Sequence, residues 1–297
     1  MTISYINFGE ILRSLRLYKG MSAEDVAKDI CSTEDLHQFE KDKKYPTIDQ
    51  LYKIASKLNV EPLHFFDFAA AGSANYVTAV FDLIKKYKRD RNYKAISEIV
   101  EQEKENPLFN LPSSKQFLLW HEAICLYYLG EPGEKEAKRT IKMLYQAIEL
   151  TNPSMKGLTE REIEILIAIA LIEKDSSNYR EAISLLKEAL NAMEELPMIS
   201  DPRVQLRALF GLAQSLSNSE NYSESLIYSN KGLSQCINDE IMYLFGEFYY
   251  QSAHNYILMG NIEKGKEYLQ KSIQIFDLQR NDQFVNLVKS ELKKISE

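Results

Sequence analysis

Residues 247–272, EFYYQSAHNYILMGNIEKGKEYLQKS, decide how this chain folds. Small side chains stand at Ala253, Gly265 and Ser272, with spacings of 12 and then 7. The same two spacings recur, without gaps, at Ala213, Ser225 and Gly232 and again at Ala170, Ala182 and Ala189. A Tyr or Ile sits three residues before the middle small residue in each copy: Tyr179, Tyr222 and Ile262. Antiparallel helices cross closely only where small side chains occupy the contact points. Twelve residues carry the chain from one helix, round a turn, onto a second, and seven more are two turns along the same face.

Repetition of helix pairs is the tetratricopeptide arrangement. Steps of 43 and 40 residues between copies exceed the usual step of about 34 and imply longer helices or loops. Weaker copies lie at NYKAISEIV (92–100) and EAKRTIKMLYQAI (136–148), and Pro107, Pro112, Pro132, Pro153 and Pro202 fall between elements. The reading is an all-α body over 77–297, a right-handed superhelix of about five helix pairs closed by a helix at 282–296. Such a superhelix presents a concave face lined by the first helix of each pair. The small-residue register turns Glu164, Ile167 and Leu171 inward on one helix, Arg207, Phe210, Gln214 and Asn218 on the next, and Glu247, Tyr250, Gln251 and His254 on the third. Aromatics for side-chain pockets, with amides and charges for backbone and ends, suit an extended peptide. The basic run KKYKRDR at 85–91, with Arg89 and Arg91, suits a peptide carboxylate.

Upstream, residues 8–68 read as five short helices. FGEILRSLRLYKG carries the stripe Phe8, Ile11, Leu12 and Leu15 and stops at Gly20. Ser22 caps AEDVAKDI with Asp25 at the capping-box position, Ser32 caps TEDLHQFEK, Thr47 caps IDQLYKIASKL, and Glu61–Pro62 open PLHFFDF. AAAGSANY at 69–76 reads as the linker. A helix-turn-helix would use Ala23–Ile30 and a reader helix Thr33–Lys41, held by Val26, Ile30, Leu36 and Phe39 across Ala27. Ser22, Ser32 and Thr33 would donate to phosphates, His37 and Gln38 would address bases, and Lys43, Lys44 and Tyr45 would grip the backbone. Glu34 and Asp35 oppose this, as does the charge of residues 1–68, nine Lys/Arg against eleven Asp/Glu.

The whole chain has 297 residues, net charge −7 and ordinary shares of hydrophobic (45%) and charged (27%) residues. No apolar run reaches the roughly 18 residues of a membrane span, and MTISYINFGEILRSLR has no signal-peptide pattern. Cys31, Cys125 and Cys236 form no CxxC pair, which argues for buried thiols in a reducing cytoplasm. His37, His64, His121 and His254 share no metal-ligand spacing, and no Gly-rich phosphate loop, GxSxG or HExxH occurs. An enzyme, a cofactor and a metal are therefore not expected.

GEILRSLRLYKGMSAEDVAKDI (9–30), the glutamate of HQFEK (37–41) and YPTIDQLYKIASKLNVEPLHFF (45–66) resemble the Xre/Cro-type repressor head, departing at Ala23 and in the acidic start of the reader helix. Head and body together resemble the PlcR-like regulators, the RRNPP peptide-pheromone group of Gram-positive bacteria. QFLLWHEAI (116–124), NYSESLIYSNKGL (221–233) and EFYYQSAHNYILMGNIEKG (247–265) carry that likeness. The resemblance implies a cytoplasmic, homodimeric, quorum-sensing transcription factor that binds double-stranded DNA and a re-imported signalling oligopeptide. It also places basic peptide contacts at Arg89 and Arg91 and a ligand glutamine at Gln251. It implies inner-helix asparagines as well, but 162–172 and 203–217 contain none. The rival expectation is a helical-repeat scaffold or sequestering regulator whose head no longer binds DNA.

Overall fold

The structure is a computed structural model that describes residues 8–60, 73–131 and 133–296. The expected helix at 61–68 and the first part of the 69–76 linker lie outside the described residues. The chain divides into two compact units, Met1–Arg91 and Asn92–Glu297.

In the first unit, α1 (Phe8–Tyr18), α2 (Ala23–Ala27), α3 (Thr33–Glu40) and α4 (Ile48–Leu58) form the head, and α5 (Ser73–Arg89) follows. Local chemistry sets the starts. Ser22 accepts from the backbone N–H of Asp25, whose carboxylate accepts from the Ser22 N–H; Thr47 and Gln50 repeat the exchange at α4. The core is Leu12, Val26, Leu36, Phe39 and Ile54, all fully buried, with Ala27, Ala55 and Leu58 beside them. Ile30 packs against that core but is only partly buried. α2 is shorter than the expected Ala23–Ile30: Lys28 leaves the helical region and Asp29 has φ of 63°. The Lys57 ammonium donates to the freed carbonyls of Asp25 and Lys28, closing that C-terminus from α4. The reader helix likewise ends at Glu40, with Lys41 as its cap.

Gly9 explains how closely α1 meets α3. A Cβ there would stand 2.4 Å from the Phe39 carbonyl oxygen. Its N–H donates to the Asp42 carboxylate at 2.9 Å.

The second unit contains α6 (Tyr93–Glu103), a 3-10 turn (Pro107–Phe109), α7 (Pro112–Leu129), α8 (Glu134–Glu149), α9 (Glu160–Asp175), α10 (Tyr179–Glu195), α11 (Pro202–Asn218), α12 (Tyr222–Asn238), α13 (Phe245–Leu258), α14 (Ile262–Leu278) and α15 (Asp282–Ser296). Each helix packs on the next. Tetratricopeptide-like pairs and the closing helix at 282–296 are therefore present, and no described residue is in a strand. The small-residue rows are the contact points: Ala170, Ala182, Ala189, Ala213, Ser225, Ala253 and Ser272 are fully buried, and Gly232 and Gly265 are buried too. At Gly265 an added Cβ would meet the Ile257 side chain at 2.4 Å.

Two observations give the second unit its curvature. First helices pack on first helices of the next pair, α9 on α11 and α11 on α13. Between the second helices α10 and α12 a cleft of about 710 Å³ opens. The first helices therefore lie on the inner, tighter side. No described helix is long and apolar enough to cross a membrane.

Candidate functional site

The head places its candidate DNA contacts on and around α3. Ser22 and Ser32 are exposed, Thr33, His37 and Gln38 are half-buried, and Lys43, Lys44 and Tyr45 are exposed in the following loop. Several are already engaged. The Ser22 hydroxyl donates to Asp25 at 2.6 Å. Ser32 Oγ accepts from the Asp35 N–H. Gln38 reaches Glu34 at 3.5 Å, and Lys44 pairs with Asp35 at 2.6 Å. Hydrogen bonds from Lys44 and Ser32 hold the Asp35 carboxyl below its ordinary range.

Underneath lies a contact that the sequence reading did not isolate. Arg16 of α1 makes a two-pronged bond to Glu40 at the end of α3, Nε at 2.6 Å and Nη2 at 3.0 Å, and its Nη1 donates to the Met21 carbonyl at 3.0 Å. Both side chains are buried. The hydrogen bond to Glu40 leads the causes that raise the Arg16 pKa, against burial. This pair fixes α3 relative to α1, and with it the exposed face that carries His37 and Gln38. On one-dimensional inspection Arg16 is only a charge on an amphipathic helix; no local spacing ties it to Glu40.

In the repeats, the residues expected to face inward stand on α9, α11 and α13. Glu164, Arg207, Gln214 and Tyr250 have polar partners on a neighbouring first helix or the closing helix. Arg207 of α11 pairs with Glu164 of α9 at 2.7 Å, with about a quarter of each side chain exposed. Lys174 of α9 donates to Gln214 of α11 at 2.9 Å. Tyr250 of α13 donates to Glu291 of α15 at 2.9 Å; burial, with that bond, pushes its phenol up to about 12. Burial, with the Asp175 carboxylate of α9 nearby, pushes the Tyr127 phenol of α7 up to about 12. Polar pairs thus link one first helix to the next along the unit.

His254 and Asn218 are exposed, whereas Gln251 and Ile167 are buried. Phe210 is half-buried and meets Phe248 edge-on, centroids 5.4 Å apart. Arg89, the last residue of α5, and Arg91, with φ of 54°, are exposed and belong to the first unit. None of the expected peptide contacts lines the 710 Å³ cleft, whose walls include Asn191, Gln205, Tyr228, Lys231 and Gln235.

Burial pushes Cys125 and Cys236 up to about 12 and raises Cys31 as well. Among the described residues no group of three His, Cys, Asp or Glu is placed to hold a metal ion.

A helix-turn-helix head followed by tetratricopeptide-like helix pairs defines a class of two-part, all-helical proteins. Residues 82–295 match the RNPP family C-terminal domain and residues 12–65 match a helix-turn-helix family. The chain belongs to the RNPP family. Bacillus thuringiensis PlcR, solved in complex with the peptide PapR7 and DNA, is 22% identical, with 95% of this chain and 99% of that chain covered and a TM-score of 0.80. ComR from S. thermophilus, solved with DNA and its signalling peptide ComS, is 14% identical over 98% of this chain and 100% of that one, with a TM-score of 0.63. The SHP pheromone receptor Rgg2 of Streptococcus dysgalactiae is 17% identical over 97% and 99%, with a TM-score of 0.61. At these identities the likeness is one of fold. Comparison with curated proteins gives no significant match.

Proposed function

We propose that this protein is a quorum-sensing transcriptional regulator. Its head, residues 1–68, binds operator half-sites as part of a homodimer, and the 69–76 segment joins it to the body at 77–297. A short re-imported signalling peptide lies along the inner face of the repeats and biases the pose of the two heads. The observation that carries this is the inner face itself. Arg207, Gln214 and His254 stand on two successive first helices, α11 and α13, that pack together, and the Arg207 and Gln214 partners are polar groups a ligand can replace. The family, and the peptide- and DNA-bound forms of PlcR and ComR, support the same reading. The exposed Ser32 and half-exposed Thr33, His37 and Gln38 supply phosphate and base contacts at the start of the reader helix.

One observation favours the rival, a scaffold whose head does not bind DNA. Lys44 is held by Asp35 of the reader helix, and Glu34 is exposed beside it. A gel shift on fragments of the source genome separates the two. It is run at low and moderate salt, with and without synthetic heptapeptides copied from the C-termini of short reading frames flanking the gene. A shift whose strength changes with peptide supports the regulator. No shift under any condition favours the scaffold.

A further inference from the structure

The junction at which α13 meets α11 and α12 differs from its neighbours. Where α11 meets α9 and α10, the groups facing Gly211 are Leu171 and Leu186. Where α13 meets α14 and α15, the core is Ala253, Leu269, Phe276, Val285 and Val288. At the α11–α12–α13 junction one end is apolar, around Phe248, Leu206, Leu209 and Leu233, but the other is polar. Asn255 is fully buried there. Its Oδ1 accepts from Ser217 of α11 at 2.7 Å and from Gln251 at 3.4 Å; its Nδ2 donates to Ser225 of α12 at 2.7 Å. Ser225 passes its own proton to the Ala213 carbonyl at 2.6 Å.

One turn further along, the junction has hydroxyls that nothing uses. Ser229 of α12 and Ser252 of α13 are fully buried, and neither Oγ has a hydrogen-bond partner among the described residues. Ser225 faces Asn255 and Gly232 faces Phe248, so the antiparallel register sets Ser229 opposite Gln251 and Ser252. A buried hydroxyl without a partner is unfavourable.

We propose that Asn255 is a positioning residue of the inner face. It holds the Gln251 amide at the edge of that face, and it keeps α13 in one of two hydrogen-bond registers against α11 and α12, the second being the register in which Ser229 and Ser252 bond. A ligand that takes the Gln251 amide removes one of the two donors to Asn255 Oδ1 and selects the second register. Packed helices switch between discrete arrangements rather than deforming continuously, and this junction is where the repeat unit changes pitch. The inference rests on the inner face being the ligand face, but its test needs no ligand.

The test is hydrogen–deuterium exchange, with thermal unfolding, on the full chain without peptide. Asn255→Leu keeps the volume and removes the bonds that hold the first register, leaving Ser229 and Ser252 in place. Ser229→Ala/Ser252→Ala removes groups that only the second register uses. Asn255→Leu is expected to speed exchange across 222–258 by about threefold or more, since the first register loses its bonds, and the serine pair to keep or raise the thermal midpoint and slow that exchange by a similar factor, since openings through the second register are lost. Unchanged or slower exchange in Asn255→Leu would overturn the proposal; so would unchanged or faster exchange in the serine pair, which decides alone if Asn255→Leu fails to fold. Because no peptide is added, failure here leaves the inner face standing as a ligand site, and absence of peptide binding elsewhere leaves this result standing.

Discussion

Gly232→Ala should destabilise the protein even though the equivalent positions of the neighbouring pairs are Ala189 and Ser272. In a helix interior the change from Gly to Ala favours folding by about 1 kcal/mol. The structure opposes that gain. A Cβ at position 232 would stand 2.2 Å from Phe248 Cζ, 2.4 Å from Cε1 and 2.6 Å from Cε2, whereas carbon atoms rest about 3.5–4.0 Å apart. The ring would have to retreat by more than 1 Å, by that spacing. It has nowhere to go, being fully buried and set edge-on against Phe210 at 5.4 Å. Overpacking of this kind costs about 1–3 kcal/mol in general; with no free end to swing away, the upper part of that range applies, leaving a net loss of about 1–2 kcal/mol. Urea unfolding followed by far-UV circular dichroism reads this as a midpoint lowered by roughly 0.5 M for a slope near 3 kcal/mol/M. Combining it with Phe248→Leu should recover part of the loss, because the smaller side chain vacates the contact, and the cycle gives a coupling of about 1 kcal/mol or more. A Gly232→Ala protein about 1 kcal/mol more stable than its parent, the value that helix propensity alone supplies, would refute the packing of α12 against α13.

Glu162 provides a pH test. Burial raises its pKa, but hydrogen bonds from Thr151, the Thr159 backbone and Asn152 outweigh it and hold the carboxyl below the ordinary 4.5. A depressed acid contributes stability that is complete above its unfolded value and is lost as pH falls through the lower folded one. Glu162→Gln should therefore cost about 1–3 kcal/mol at neutral pH, with the gap in thermal midpoint closing as pH drops below 4.5; a gap independent of pH would contradict the assignment. Arg207→Ala breaks a partly exposed pair, so the thermal midpoint should move by less than about 1 kcal/mol equivalent while the peptide response in a reporter assay falls; a large loss of stability would make the pair structural. Asp35→Asn releases Lys44 and should tighten DNA binding and steepen the slope of log K against log salt by about one phosphate contact, roughly 0.9; an unchanged slope would remove Lys44 from the DNA contacts. Alkylation of Cys125 and Cys236 at pH 8 should wait for unfolding, their thiols being pushed up to about 12; rapid labelling of the native protein would show the helices around them opening.

The repeat body was legible because close helix packing admits only small side chains at its contact points, and Ala170, Ala213 and Ala253 with their partners form rows in the sequence. The caps at Ser22, Ser32 and Thr47 were legible for the same reason, since each is a contact over three residues. What spans distance was not. The Arg16–Glu40 bond joins residues 24 apart and the Ser217–Asn255 bond residues 38 apart, and no local pattern marks either. The length of α2 escaped too: AKDI continues the helical pattern, but Asp29 adopts the left-handed region that a short polar side chain tolerates. On the inner face the sequence supplied the residues but not their present partners, because whether Arg207 meets solvent or Glu164 depends on the curvature that brings α9 to α11.

Calorimetric titration of the full chain with the synthetic heptapeptides encoded beside the gene, comparing the parent with Arg207→Ala/His254→Ala, asks most directly whether the inner face grips a peptide. We expect one heptapeptide to bind the parent and to lose at least about tenfold in affinity, 1.4 kcal/mol, in the double variant, with both proteins unfolding at similar temperatures. Binding of equal strength in both would place the ligand elsewhere on the molecule.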